Sequence, residues 1–247
     1  MVDIKDYIEY NRGSIPLIIS VPHGGKTKCD HIPRRTNGIH GIDKDTIKLA
    51  CELIEKIKNV FKFKTPSYII SKIHRAKIDF NRNSSEAYDQ ESELAKKIYR
   101  FYHNKIEELI LYNLETFNSS MLIDIHGFEK EKRPKGFRDV ELILGTNNLE
   151  SLYPNSIPKR DWGKNLRGKI VKKFNNLNIA IAPGHHLRRE FVLTGGYITT
   201  KYGASQFLTK NSQTIQIEFS DKIRLYDKEL KNIVLSMLAE LLYKEFG

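Results

Sequence analysis

The sequence has little cysteine: Cys29 and Cys51 are the two in 247 residues. They form no Cys-x-x-Cys pair and cannot alone build a thiol-rich zinc site. Sparse cysteine fits a reducing compartment. Also missing is any run of ~20 apolar residues, the length a membrane helix needs. The N-terminal stretch MVDIKDYIEYNRG lacks the basic and apolar segments of a signal peptide. These absences lead to the expectation of a soluble cytoplasmic protein without membrane contact. No repeat, low-complexity tract or clear linker divides the chain, so residues 1–247 are expected to form one domain. Hydrophobic residues make up 40% of it, enough for a sizeable core without disulfide or metal staples. A metal, if one is bound, therefore belongs to function rather than to folding.

Acidic residues do not balance the basic ones, and the formal charge is +11. Nucleic acid is one partner that such a charge would attract. Yet no zinc-finger or aromatic RNA-binding signature accompanies it. Many lysines stand beside glutamates in helix-like stretches such as CELIEKIK at 51–58. A lysine-rich surface is the plainer reading, and a basic nucleic-acid-binding module is kept as the rival to an enzyme.

What is present alternates. Apolar runs at 15–21, 67–71, 121–125, 140–144, 178–182 and 214–219 read as strands, and 76–80 alternates like one more. Helical spacing marks 45–61, 91–117 (as one helix or a pair), 162–174 and 227–246. Strands alternating with helices point to the α/β class, with a central, mixed or mostly parallel sheet covered on both faces. Such sheets take ligands at the carboxyl ends of their strands. Several unusual polar residues fall there.

His23 and His126 each follow an apolar strand and precede glycine. Neutral imidazole is a favoured zinc ligand, and a catalytic zinc has three protein ligands and an open position. Asp43 is the best-placed carboxylate to complete that set. The alternative is that each histidine is a hydrogen-bonded loop residue. Asp43 and Asp45 precede a helical segment, where acidic side chains cap amides, and Asp45 is expected to do only that. Asp124 shares the face of His126 and could orient a histidine or hold a loop.

Asn81 and Arg82 form the sharpest polar pair. A guanidinium fork with an adjacent amide suits a substrate carboxylate. Arg75 could polarise a carbonyl oxygen as charge develops on it. The plainer reading of both arginines is an internal salt bridge, for instance with Asp79. Glu218 lies between Ile217 and Phe219, where a carboxylate is costly unless paired or working. Partial burial would raise its pKa toward that of a general base. A salt bridge inside the sheet is the alternative, and Gln216 on the same face reads as a structural amide.

Taken in order, these motifs resemble the N-formylglutamate amidohydrolase family. The resemblance is carried by Pro22-His23-Gly24-Gly25, Asp43, Arg75 with Asp79-Phe80-Asn81-Arg82, and Asp124-Ile125-His126-Gly127. Further along, Asp139-Val140-Glu141-Leu142-Ile143-Leu144-Gly145-Thr146, Thr194-Gly195-Gly196-Tyr197-Ile198-Thr199 with Tyr202-Gly203, and Gln216-Ile217-Glu218 continue it. The family is similar in fold to zinc carboxypeptidases and aspartoacylases. The resemblance implies a three-layer α/β/α sandwich with a central mixed, mostly parallel sheet and one zinc. It implies His23 and His126 as ligands with Asp43 between them in sequence, Glu218 as general base and Arg75 at the oxyanion. Asn81 and Arg82 would hold the substrate carboxylate, with Gly195 and Gly196 letting backbone approach the site. The implied substrate is a small N-formyl or N-acyl amino acid with a free carboxylate. A zinc carboxypeptidase-like peptidase acting on short peptides or cell-wall fragments is the enzymatic alternative.

The chain departs from the pattern in two places. Gly24 stands where the best-known deformylases usually carry serine or alanine, and Gly127 where they often carry serine. The loop GHHLRR at 184–189 lies outside the resemblance and reads as a pocket-shaping segment or an ordinary basic loop.

Overall fold

The apolar strand Leu17–Val21 lies inside the sheet with a parallel strand on each side. All five residues of Leu17–Val21 are buried, as expected of a parallel strand covered on both faces. The structure, a computed structural model, describes residues 4–133, 139–191 and 193–247. Its strands are β1 (Ile8–Asn11), β2 (Leu17–Val21), β3 (Ser67–Ser71), β4 (Ser120–Phe128), β5 (Leu142–Gly145), β6 (Ile181–Ala182) and β7 (Ser212–Ser220). Its helices are α1 (Thr46–Val60), α2 (Ser84–Ala87), α3 (Glu93–Phe117), α4 (Leu166–Asn176), α5 (Tyr197–Lys201), α6 (Ala204–Phe207) and α7 (Lys228–Phe246). The strands form one seven-stranded sheet in the order β1-β3-β2-β4-β7-β5-β6. Strands β3, β2, β4 and β7 run parallel, while β1 and β5 are antiparallel to their neighbours β3 and β7. The mixed, mostly parallel α/β sheet expected from the sequence is what the chain forms.

Alternate strand residues feed two cores, as the period of a strand requires. Leu17, Ile19 and Val21 join Ile123, Ile125, Ile215 and Ile217 under α1, α4 and α7. Ile18 and Leu122 face the other way, into a core with Tyr99, Tyr102 and Ile106 of α3. On this second face the pattern changes toward the carboxyl ends. Ser20 pairs with Asp124, Asp124 with Gln216, and His126 with Glu218. Two successive rows of polar side chains therefore replace the apolar ones where α3 and its loops leave the sheet open.

Several expected elements differ in detail. Residues 76–80 are loop rather than strand. Ile78, Asp79 and Phe80 are each 0% exposed, so their burial does not alternate, and the polar–apolar rhythm of the sequence came from an aspartate drawn inward. Segment 91–117 is a single helix, capped by Ser92 accepting from the Ala95 amide. Segment 162–174 divides, because the Asn165 side chain accepts from the Gly168 amide and starts α4 afresh. Strand β1 was not evident in the sequence, since Ile8 is its one buried residue. Among the described residues no helix is long and apolar enough to cross a membrane.

Candidate metal centre

His23 leaves the end of β2 in a loop, His126 projects from the last turn of pleat in β4, and Asp43 stands in the loop before α1. The Asp43 amide donates to the His23 carbonyl at 3.0 Å, which brings the two loops together. Three ligand atoms then converge. His23 Nδ1 lies 3.1 Å from His126 Nδ1, His126 Nδ1 lies 3.2 Å from Asp43 Oδ2, and His23 Nδ1 lies 3.6 Å from the same oxygen. Ligands ~2.0–2.1 Å from a tetrahedral zinc stand about 3.3–3.4 Å apart. The triangle thus has the edge lengths of one face of a zinc tetrahedron.

The far side of each ring explains why the Nδ1 atoms can face one another. His23 Nε2 is 2.6 Å from Asp79 Oδ1, and His126 Nε2 is 2.8 Å from Asp124 Oδ2. A carboxylate accepts only, so each pair assigns the proton to Nε2 and leaves the lone pair on Nδ1. Asp124 is itself held by the Ser20 hydroxyl at 2.8 Å, and Ser20 shares a hydrogen bond with the Tyr102 hydroxyl at 2.9 Å. Asp79 also receives the Arg75 Nε at 2.9 Å, the Arg35 guanidinium at 3.4 Å and the Asn81 amide at 3.0 Å. Each histidine is therefore aimed by a carboxylate that is itself fully held.

The electrostatics agree with a cation at the point of convergence. His23 and His126 are 1% and 2% exposed, so charge here must be compensated. Burial opposes ionisation of Asp43, but His126 and His23, which donate to it from Nδ1 only as imidazolium, outweigh it and hold its carboxyl well below the usual range. Burial likewise opposes ionisation of Asp79, and His23 and Arg75 overcome it. Burial opposes the His126 imidazolium, while Asp124 and Asp43 raise its pKa well above normal. Carboxylates on three sides thus favour positive charge where the Nδ1 atoms meet. The donor set and its spacing fit a divalent metal, and His23, Asp43 and His126 would hold it.

The remaining expected site residues gather around this triangle. Glu218 lies in register with His126 on the neighbouring strand and receives the Gln216 side-chain amide at 3.0 Å. Burial raises its pKa, Asp43 adds to the effect, and His126 opposes it. Gln216 also accepts from the Gly196 amide at 2.7 Å, so it is the structural amide its position suggested and it tethers the glycine loop to the site. At Gly196 a Cβ would stand 2.1 Å from the Asn81 side-chain nitrogen. Gly195 has φ +117°, a conformation that favours glycine. The close backbone approach expected of this pair is made to Asn81.

Asn81 is engaged at both ends. Its Oδ1 accepts from the Ile198 amide at 2.8 Å, which orients the amide, and its nitrogen rests 3.2 Å from His126 Nε2. Arg75 pairs with Asp79 and approaches Asp43 Oδ1 at 3.7 Å. Arg82 donates to Glu86 at 3.0 Å and keeps a partly exposed side chain on a cleft of about 290 Å³ shared with Arg35, Gly38 and Tyr88. Asp45 does not cap α1 with its side chain. It occupies the N-cap with φ 60°, and the Thr46 hydroxyl instead donates to the Asp43 carbonyl at 2.8 Å.

Sequence reasoning missed Arg35, Ser20, Arg133 and Arg224, none of which belongs to a motif. Arg133 stacks its guanidinium 4.1 Å over the Phe128 ring. The 184–189 loop is explained by a buried ion pair. Arg167 Nε lies 2.7 Å from Glu190 Oε1, and the same guanidinium binds the His186 and Arg188 carbonyls.

No family model and no curated protein matches the sequence. The fold does match solved structures. The chain is similar to the crystal structure of N-formylglutamate amidohydrolase from Ralstonia eutropha JMP134, with a TM-score of 0.65, 14% identity and coverage of 97% of each chain. It is also similar to gene product Atu2144 from Agrobacterium tumefaciens, with a TM-score of 0.58, 13% identity, and coverage of 96% of this chain and 92% of that one. At these identities the likeness establishes a shared fold along almost the whole chain.

Proposed function

We propose that the protein is a zinc-dependent amidohydrolase that cleaves the amide bond of an N-formyl or N-acyl amino acid with a free carboxylate. The observation that carries this reading is the convergence of His23 Nδ1, His126 Nδ1 and Asp43 Oδ2, with both Nε2 atoms committed to carboxylates. The fold shared with N-formylglutamate amidohydrolase supports amide hydrolysis as the class of reaction. A zinc held there by His23, Asp43 and His126 would supply Lewis acidity and a water whose pKa is lowered toward neutrality.

The chain's own residues then divide the work. Glu218, held by Gln216, takes a proton from the attacking water and returns it to the departing amine nitrogen. Arg75, whose Nε is engaged with Asp79 and whose Nη1 lies 3.7 Å from Asp43 Oδ1, presents the rest of its guanidinium to the negative charge that develops on the carbonyl oxygen. Arg82, with a side chain 36% exposed, receives the substrate carboxylate. Asn81 holds the glycine loop against His126. Orientation is thereby set before chemistry.

Zinc-loaded protein should be assayed against N-formyl and N-acetyl amino acids, their carboxamide analogues and short peptides. The expected result is hydrolysis of the acyl amino acids, with the carboxamides weakened chiefly in KM. Turnover confined to peptides would favour the carboxypeptidase-like alternative. No hydrolysis, with salt-sensitive binding of nucleic acid, would favour the basic binding module.

A further inference from the structure

Arg224 lies in the π-helical turn Lys222–Tyr226 that follows β7. It is 4% exposed, and a buried guanidinium must find acceptors. Those it finds are backbone carbonyls from three separate segments. Nε donates to Phe219 at 3.1 Å, Nη2 donates to Phe128 at 2.9 Å, and Nη1 donates to Lys44.

Each carbonyl belongs to a segment that carries a site residue. Lys44 follows Asp43, Phe128 lies two residues beyond His126, and Phe219 follows Glu218. One rigid fork therefore ties the Asp43 loop, which the sheet does not hold, to the paired strands that carry His126 and Glu218. The planar guanidinium suits this, because its donors point in fixed directions. A direct link runs beneath it, where the Gly127 amide donates to Asp43 Oδ2 at 3.1 Å. The fork also dictates the residue at 127. A Cβ there would stand 2.4 Å from Arg224 Nε and 2.5 Å from its Cζ.

We propose that Arg224, seated against Gly127, is the positioning residue of the metal centre: it sets Asp43 against His126 and Glu218. The metal part of this inference rests on the reading of His23, Asp43 and His126 as ligands. The positioning part does not, and the two are tested separately.

Arg224→Lys keeps the charge but loses the fork, and Gly127→Ala pushes against the fork from the other side. Zinc affinity is measured for each by competition with a chromophoric chelator, after cooperative thermal unfolding shows that the variant is folded. Each single variant is expected to bind zinc ~10–100-fold more weakly, the range for loss of an outer partner of a ligand. The double variant should be close to the weaker single one, since both disturb one clamp. A folded Arg224→Lys with wild-type affinity, or a double variant showing the product of the two losses, would overturn the proposal.

The second readout is amide exchange of the metal-free protein. Arg224→Lys should speed exchange at Gly127 by about tenfold or more while Ile123 in the same strand is unchanged. Equal rates at Gly127 would overturn the positioning role. Wild-type protein that binds no zinc would refute the ligand assignment, and the exchange result would still decide the role of Arg224.

Discussion

Glu218→Gln is expected to bind metal as the wild type does and to lose ~10²–10⁴-fold in kcat, the usual share of a general acid–base group. The substitution is nearly isosteric. It leaves Gln216 an oxygen to donate to, and it leaves the rows of side chains around His126 in place. What it removes is the ability to hold a proton between the water and the leaving amine. Titration of the carboxyl gives a second check. Burial raises the Glu218 pKa, and the group works as the carboxylate. In the metal-free protein the Glu218 carboxyl should therefore titrate above ~4.3, the ordinary glutamate value, as read by NMR. Steady-state kinetics with metal content measured on the same samples decides the matter. A variant within tenfold of wild-type kcat would remove Glu218 from proton transfer.

His23→Ala is expected to abolish useful metal binding while the sheet stays folded. The change deletes one of the three converging ligand atoms, so its effect should exceed the ~10–100-fold that accompanies loss of an outer partner. The protein should tolerate it. Asp79 would lose the imidazole but keep Arg75, Arg35 and the Asn81 amide, which limits the stability cost to about 1–3 kcal/mol. Zinc competition titrations and thermal unfolding monitored by circular dichroism check the two halves. Folded His23→Ala with near-wild-type zinc affinity would contradict the assignment of His23 as a ligand.

Much of the fold and part of the site were legible because they rest on short-range patterns. The buried strands announced themselves as β-branched runs, and the class followed from their alternation with helices. His23, Asp124, His126, Gln216 and Glu218 stood out because polar residues at apolar strand ends have few structural reasons to be there. Asp79 was read as a salt-bridge partner of Arg75 and Arg82 and as part of a motif, not as the partner of a histidine. Its contact with His23 joins residues 56 positions apart, and no local pattern reports such a pairing. The alternation at 76–80 misled for the same reason: the aspartate is buried by partners elsewhere in the chain. Arg35 and Arg224 belong to no motif, and most of their acceptors are backbone carbonyls that a sequence does not display. Gly127 departs from the serine common in the resembled family, and the structure supplies the reason in the guanidinium that fills the space of its missing side chain.

The most direct test of the account is anomalous X-ray scattering at the zinc edge from crystals of the zinc-loaded protein. The account predicts one strong peak among His23, Asp43 and His126, ~2.0–2.1 Å from both Nδ1 atoms, with Asp79 and Asp124 still on the Nε2 sides. An empty triangle under saturating zinc, or zinc bound through other side chains, would contradict it.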